Sequence, residues 1–237
     1  MNTTILDNSE TIYPINHQVL LNKYITKVFG WMSLALILTG ITSLVVVSSE
    51  TLLNTIFSSK LSFYLLIGAE FLLVMAITSL INKMSTPLAF LLFVVYSILN
   101  GITLSVIFLV YTAGSIASTF FITAGTFAIM SIVGYFTKKD LTSFGQILFM
   151  IFIGLMIASL VNFFMNSDTL YWICTYAGVI VFTGLTAYDT QKIKNIGIDA
   201  INQNMDTSKM ALMGALNLYL DFINLFLFLL RLFGRRK

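Results

Sequence analysis

The run Ala211–Phe233, ALMGALNLYLDFINLFLFLLRLF, decides how this chain folds. A helix needs about 20 apolar residues to cross a bilayer, and this run supplies that length. Yet it also carries Asn217, Asp221, Asn224 and Arg231. At about 100° per residue these four fall within one narrow stripe, which Gly214 extends toward the preceding loop. The other faces are dominated by Leu, Phe and Ile. Lipid offers no hydrogen-bond partner to the stripe. A helix polar on one side and apolar on the others is therefore predicted to sit at the centre of a bundle, its stripe facing a wet or paired interior.

Six further apolar runs precede it, each bounded by charge or turn residues: Val28–Ser48, Leu61–Ile81, Leu88–Tyr111, Ser115–Phe136, Phe144–Met165 and Asp168–Tyr188. Seven spans consume roughly 150 residues of the 237 in the chain. The rest is predicted to form a polar N-terminal head, Met1–Asn22, six connections and a tail, so that 23–237 is one transmembrane domain. Of all residues 58% are hydrophobic and only 10% charged, against about 25% charged in soluble domains. The predicted class is an all-α integral membrane protein, a bundle of seven transmembrane helices with the last one central. Asn82–Pro87, Thr137–Ser143 and Asn166–Ser167 are short enough to make successive helices antiparallel neighbours. The polar stretch from Thr190 to Met210 is long enough to carry helix extensions into water.

Lysine distribution sets the expected orientation. The head and the second, fourth and sixth connections hold Lys23, Lys27, Lys83, Lys138, Lys139, Lys192, Lys194 and Lys209, whereas the opposite loops hold only Lys60. This places the N-terminus in the cytoplasm of a bacterial plasma (inner) membrane. Arg231, Arg235, Arg236 and Lys237 run against the pattern, so either the last segment crosses fully or it re-enters; seven full spans are favoured. The head lacks the basic start and cleavage site of a signal peptide, so the first span is expected to be retained. Small residues at four-residue spacing, Ser97-Gly101-Ser105 and Gly154-Ala158, are expected to let helix backbones approach closely.

Chemistry is confined to a few groups. One cysteine, Cys174, and one histidine, His17, exclude a disulfide within the chain, a multi-cysteine or histidine metal cluster and a serine–histidine apparatus. No basic, aromatic-studded face points to nucleic acid, and no cofactor is expected. Of ten acidic residues, seven lie in the head, loops or span ends. The other three are Glu70, mid-way along the second span, Asp189, near the end of the sixth, and Asp221, roughly 15 Å into the seventh at about 1.5 Å per residue. A carboxylate in the bilayer costs a few kcal/mol or about that order, so the default function for such a group is an ion or proton path. The sixth span runs toward the cytoplasm and the seventh returns, which brings Asp189 and Asp221 onto the same half of adjacent helices. Two carboxylates within reach share a proton. Such a pair can sense pH and can coordinate a hard cation such as calcium through oxygen. Glu70 is open between a second acidic station, a protonated donor and a counter-ion. Lys83 is the nearest basic candidate to close over the aspartates, and a snorkelling interface lysine is its other reading.

Two segments carry a family resemblance. Phe182-Thr183-Gly184-Leu185-Thr186-Ala187-Tyr188-Asp189-Thr190-Gln191-Lys192-Ile193-Lys194 and Leu218-Tyr219-Leu220-Asp221-Phe222-Ile223-Asn224-Leu225-Phe226 resemble the signature of the Bax inhibitor, or lifeguard, family. Asn100-Gly101-Ile102-Thr103-Leu104, Lys138-Lys139-Asp140-Leu141 and Leu229-Leu230-Arg231-Leu232-Phe233-Gly234 fit as well, so the likeness covers the chain from Lys23 onward. The resemblance implies a seven-helix bundle whose last helix is enclosed by the others, a pH-sensitive calcium leak in bacterial members, and paired aspartates at Asp189 and Asp221. The family also has an arginine near the end of the second helix that latches the pore closed; here that place reads Ile81-Asn82-Lys83.

The leading expectation is thus a pH-sensitive, calcium-permeable leak channel with calcium as the transported ion, Asp189 and Asp221 as its gate, and Glu70, Asn217, Asn224, Lys83 and Arg231 in support. A proton-coupled small-solute transporter using the same acids is one alternative. A regulator that binds another membrane protein, such as a quality-control protease, through its polar head is the second. An intramembrane aspartyl protease is disfavoured, since the Gly-x-Gly-Asp setting of such enzymes is missing: Tyr219 and Leu220 precede Asp221.

Overall fold

The computed structural model describes residues 9–237, with side chains from His17 onward except that of Lys60. The expectation for residues 1–8 of the polar head lies outside them. The protein is an all-α integral membrane protein. Its helices are α1 Ser9–Val47, α2 Glu50–Ile56, α3 Lys60–Leu80, α4 Thr86–Leu104, α5 Ile107–Val110, α6 Ala113–Phe136, α7 Thr142–Met165, α8 Asp168–Asn202 and α9 Ser208–Phe233. Seven stretches are long and apolar enough to span a membrane: His17–Val47 in α1, then α3, α4 with α5, α6, α7, α8 and α9.

Local chemistry sets most boundaries. Ser59, Thr112 and Ser167 each precede a helix and accept the N–H three residues on, from Ser62, Ser115 and Leu170. This satisfies donors that a helix start leaves open. Pro87 falls in the first turn of α4, where its missing N–H costs nothing. Asn166 ends α7 in the left-handed conformation at φ 48°, a cap that asparagine tolerates. The third span, expected to be continuous over Leu88–Tyr111, is broken at Ser105, whose N–H is shared between the carbonyls of Gly101 and Ile102 at 3.1 and 3.2 Å.

The packing has a 3–1–3 plan. On one side α1 packs on α4 and α4 on α3; on the other α6 packs on α8 and α8 on α7. Between them stands α9, in contact with α8, α1, α6 and α4. Burial agrees: 67% of the α9 span is buried, against 11% for α3 and for α7. The outer faces of those two helices present Leu65, Leu72, Phe163 and Phe164, 61–75% exposed. Soluble monomers rarely expose so continuous an apolar face, and here it meets lipid. The two halves meet through α1 and α8, but α3 and α7 do not pack substantially on each other, which leaves a lateral gap on that side.

Small residues close some seams but not others. A Cβ on Gly101 would stand 2.6 Å from the Thr39 carbonyl oxygen, so α1 and α4 touch backbone to backbone, as the Ser97-Gly101-Ser105 stripe predicts. At the same seam Ser43 Oγ donates to the Gly101 carbonyl at 2.7 Å, and Thr39 Oγ1 to that of Ser97 at 2.9 Å. Tyr219 Oη meets Thr39 Oγ1 at 2.7 Å, which ties α9 into the seam. Gly154 corrects the other stripe. It is exposed and nothing approaches it, because α7 turns that face to lipid. Close contact on that side comes instead from Gly134 of α6, which rests on the Ala187 backbone of α8.

The last segment crosses the bundle fully. At its start, Ser208 Oγ accepts a hydrogen bond from Lys27 Nζ at 2.9 Å. At its far end, Thr112 N–H donates to the Arg235 carbonyl at 3.0 Å and Lys237 N–H to that of Val110 at 2.9 Å. The two ends of α9 thus lie at opposite ends of the molecule, and the re-entrant alternative falls.

Candidate functional site

α8 does not stop near Tyr188 but continues to Asn202, as the polar stretch after Thr190 allowed. Asp189 is therefore a mid-helix residue, held in register by the packing of α8 on α6, α7 and α9. Two side-chain contacts lock that register. Gln191 accepts the Leu141 N–H and donates to the Lys139 carbonyl, both at 2.8 Å, clasping the α6–α7 turn. Lys194 donates to the Tyr135 carbonyl at the end of α6 at 2.7 Å, its ammonium 4.8 Å from the Tyr135 ring centre.

With both helices fixed, Asp189 and Asp221 face one space from the packed pair α8 and α9. Asp189 is half-buried, and Asp221 is only 5% exposed. Its Oδ2 is fully buried and finds no partner among the described residues. A buried carboxyl oxygen without a donor is costly. One proton held by the pair turns two repelling acceptors into donor and acceptor.

Both aspartates line a cavity of about 670 Å³ that also takes in Glu70, Asn217, Asn224 and Lys192. The sequence stripe of α9 thus faces an internal space, as predicted, apart from Arg231. That residue lies a few turns further on, exposed, with its guanidinium 5.2 Å from the Phe228 ring centre and 5.8 Å from that of Tyr171. Lys83 is exposed in the α3–α4 turn and does not line the cavity. The base at its wall is Lys192, one turn beyond Asp189, with Nζ 5.8 Å from the Tyr188 ring centre.

Glu70 reaches the space from α3. Thr103 Oγ1 donates to its Oε1, and Asn100 Nδ2 to its Oε2 at 3.4 Å. Both partners lie on α4, three residues apart and hence on one helical face. That spacing was the available signal for them; nothing in the sequence tied the pair to Glu70, which is thirty residues away. Tyr96 and Gln146 complete the polar lining, and Gln146 carried no signal at all within its apolar run. Among the described residues no three Asp, Glu, His or Cys side chains converge as a metal centre. Two carboxyl groups also fall short of the six to eight oxygens that a resident calcium takes. What the arrangement provides is a membrane-embedded space with acids on two opposing walls.

Comparison with known proteins agrees with this architecture. A family model described as inhibitor of apoptosis-promoting Bax1 matches residues 21–237. The chain is 50% identical over 220 residues to the inner membrane protein YbhL of Escherichia coli, covering 92% of this chain and 93% of that protein. A protein of Borreliella burgdorferi is 46% identical over 216 residues, covering 91% and 93% of the two chains. One of Rickettsia prowazekii is 42% identical over 220 residues, covering 92% and 91%.

Proposed function

The chain belongs to the Bax inhibitor family, and from that premise we propose that it is a pH-sensitive, calcium-permeable leak channel gated by Asp189 and Asp221. The observation that carries the reading is the single cavity of about 670 Å³ onto which Asp189, Asp221 and Glu70 all open. Calcium is cargo here. A conducting site must hold its ion weakly enough to release it, and carboxyl groups spread over three helices suit that better than a closed cage.

Gating follows from the shared proton. With one proton between them, Asp189 and Asp221 hold α8 and α9 together on the cavity side. Removing that proton leaves two negative charges that repel, adding a second leaves a neutral pair, and each state favours a different separation. α9 touches both halves of the bundle, so a shift at Asp221 is felt by both. Two packings a few kcal/mol apart suffice for a switch of this kind. Glu70, held by Thr103 and Asn100, serves as a second acidic station. Lys192 is the counter-charge at Asp189, a role open to it and not to Lys83 because only Lys192 lines the cavity. The name of the Escherichia coli relative and the lysine distribution support an inner membrane location with the N-terminus in the cytoplasm.

Reconstitution tests the reading. Liposomes containing the protein and loaded with a calcium dye should fill at a rate that depends on pH between about 5 and 8 and rises with external calcium without any counter-transported solute. Entry no faster than in protein-free liposomes at every pH would refute it. Saturable entry that requires a second solute would move the protein to the transporter class.

A further inference from the structure

The acidic cavity is larger and more aromatic than passage of a small inorganic ion requires. Its volume of about 670 Å³ falls in the range of about 300–1,000 Å³ that holds a drug-sized organic ligand. Phe71, Phe149, Phe152 and Phe182 contribute to its walls, and aromatic faces attract cations. Glu70 stands on α3, while Asp189 and Asp221 stand on α8 and α9. A bare metal ion is not gripped by all three. A bulky cation with apolar surface around its charge would meet both acidic walls and the rings at once. Asp221 is only 5% exposed yet lines the same space, so little water shields its charge there. There is also a route in. Phe71 and Phe149 at the rim are 53% and 55% exposed, facing the lateral gap between α3 and α7, and lipophilic cations concentrate in the membrane that this gap meets.

We propose that the cavity binds a lipophilic organic cation, an amphipathic amine or onium ion that enters from the bilayer between α3 and α7 and sets its charge between Glu70 and the Asp189–Asp221 pair. Lys192 is the one positive group lining the same space, and it yields toward solvent when the ligand enters. The inference rests on the cavity being a cation site, but not on calcium permeation.

Equilibrium dialysis of the purified full chain against tetraphenylphosphonium tests it, with triphenylphosphine oxide as an uncharged probe of similar shape. Saturable binding of one cation per chain is expected, with a rise in melting temperature that the neutral probe does not reproduce. Glu70→Gln and Asp221→Asn should each weaken binding about tenfold or more, because each removes a carboxylate's attraction for the onium charge in a poorly solvated space. Equal binding of the neutral probe would show only a greasy cavity and overturn the proposal, as would full affinity in both variants. If Asp221→Asn does not fold, Glu70→Gln decides alone, since Glu70 is only half-buried. Binding without calcium flux would sink the channel reading and leave this one standing; flux without binding would do the reverse.

Discussion

At the residue scale the account turns on which acids can respond near neutral pH. Asp140 and Asp206 are exposed, and each accepts a backbone N–H at 2.9 Å, from Thr142 and Ser208. The Thr142 hydroxyl, donating to Asp140 at 2.6 Å, together with its N–H, and the Ser208 N–H at Asp206, hold both carboxyls below the usual aspartate range. The stabilisation they give is complete above the ordinary value of about 3.9 and is lost only as pH falls through the lower folded values. Both therefore stay ionised from pH 5 to 8 and cannot cause a response there. His17→Asn removes the only histidine and should leave the pH profile of calcium entry unchanged; a flattened profile would relocate the sensor. Glu70→Gln should lower calcium entry severalfold at every pH while keeping the dependence on pH. Loss of the pH dependence in that variant would mean that Glu70 belongs to the gate itself. Asp221 was legible in the sequence because a charge among Leu and Phe has no other explanation. The place of Lys192 on the cavity wall was not legible, since it follows from α8 running on past Asp189 to Asn202.

Among the elements, the α6–α8 seam is the tightest spot. A side chain at Gly134 would collide with the Ala187 backbone, which cannot move as a side-chain tip can. Gly134→Ala should cost about 1–3 kcal/mol and lower the melting temperature in detergent. Gly154→Ala, on the open lipid face, should leave it unchanged or slightly higher. Equal losses in the two variants would contradict the packing described. The contrast also shows where sequence reading stops. Gly-x-x-x-small spacing marks a helix face that can approach another closely, but it does not say whether a partner lies there. Gly101 finds α1 and Gly154 finds lipid. The break at Ser105 was hidden for a similar reason, since Ser and Val are both acceptable inside a membrane helix and only the shared N–H reveals it.

For the whole molecule, the 3–1–3 plan follows from the polarity of α9. Its stripe has to be enclosed, and three helices on either side enclose it while leaving a lateral gap over the acids. The sequence conveyed the number of spans and the central place of the last one. It did not convey the cavity, because Glu70, Asp189 and Asp221 converge only when α3, α8 and α9 are packed together. Lysine distribution makes a topological prediction. Single cysteines at Lys138 and at Arg236, in a Cys174→Ala background, should label from opposite faces of inside-out vesicles, with position 138 on the cytoplasmic face. Labelling of both from one face would contradict a full crossing by α9. The central claim is that a proton shared by Asp189 and Asp221 controls a cation path. Its most direct test is the pH profile of calcium entry into liposomes for the parent protein beside Asp189→Asn and Asp221→Asn. A profile that bends between about pH 5 and 8 in the parent and is flat in both variants is the predicted result; the same bend in all three proteins would contradict it.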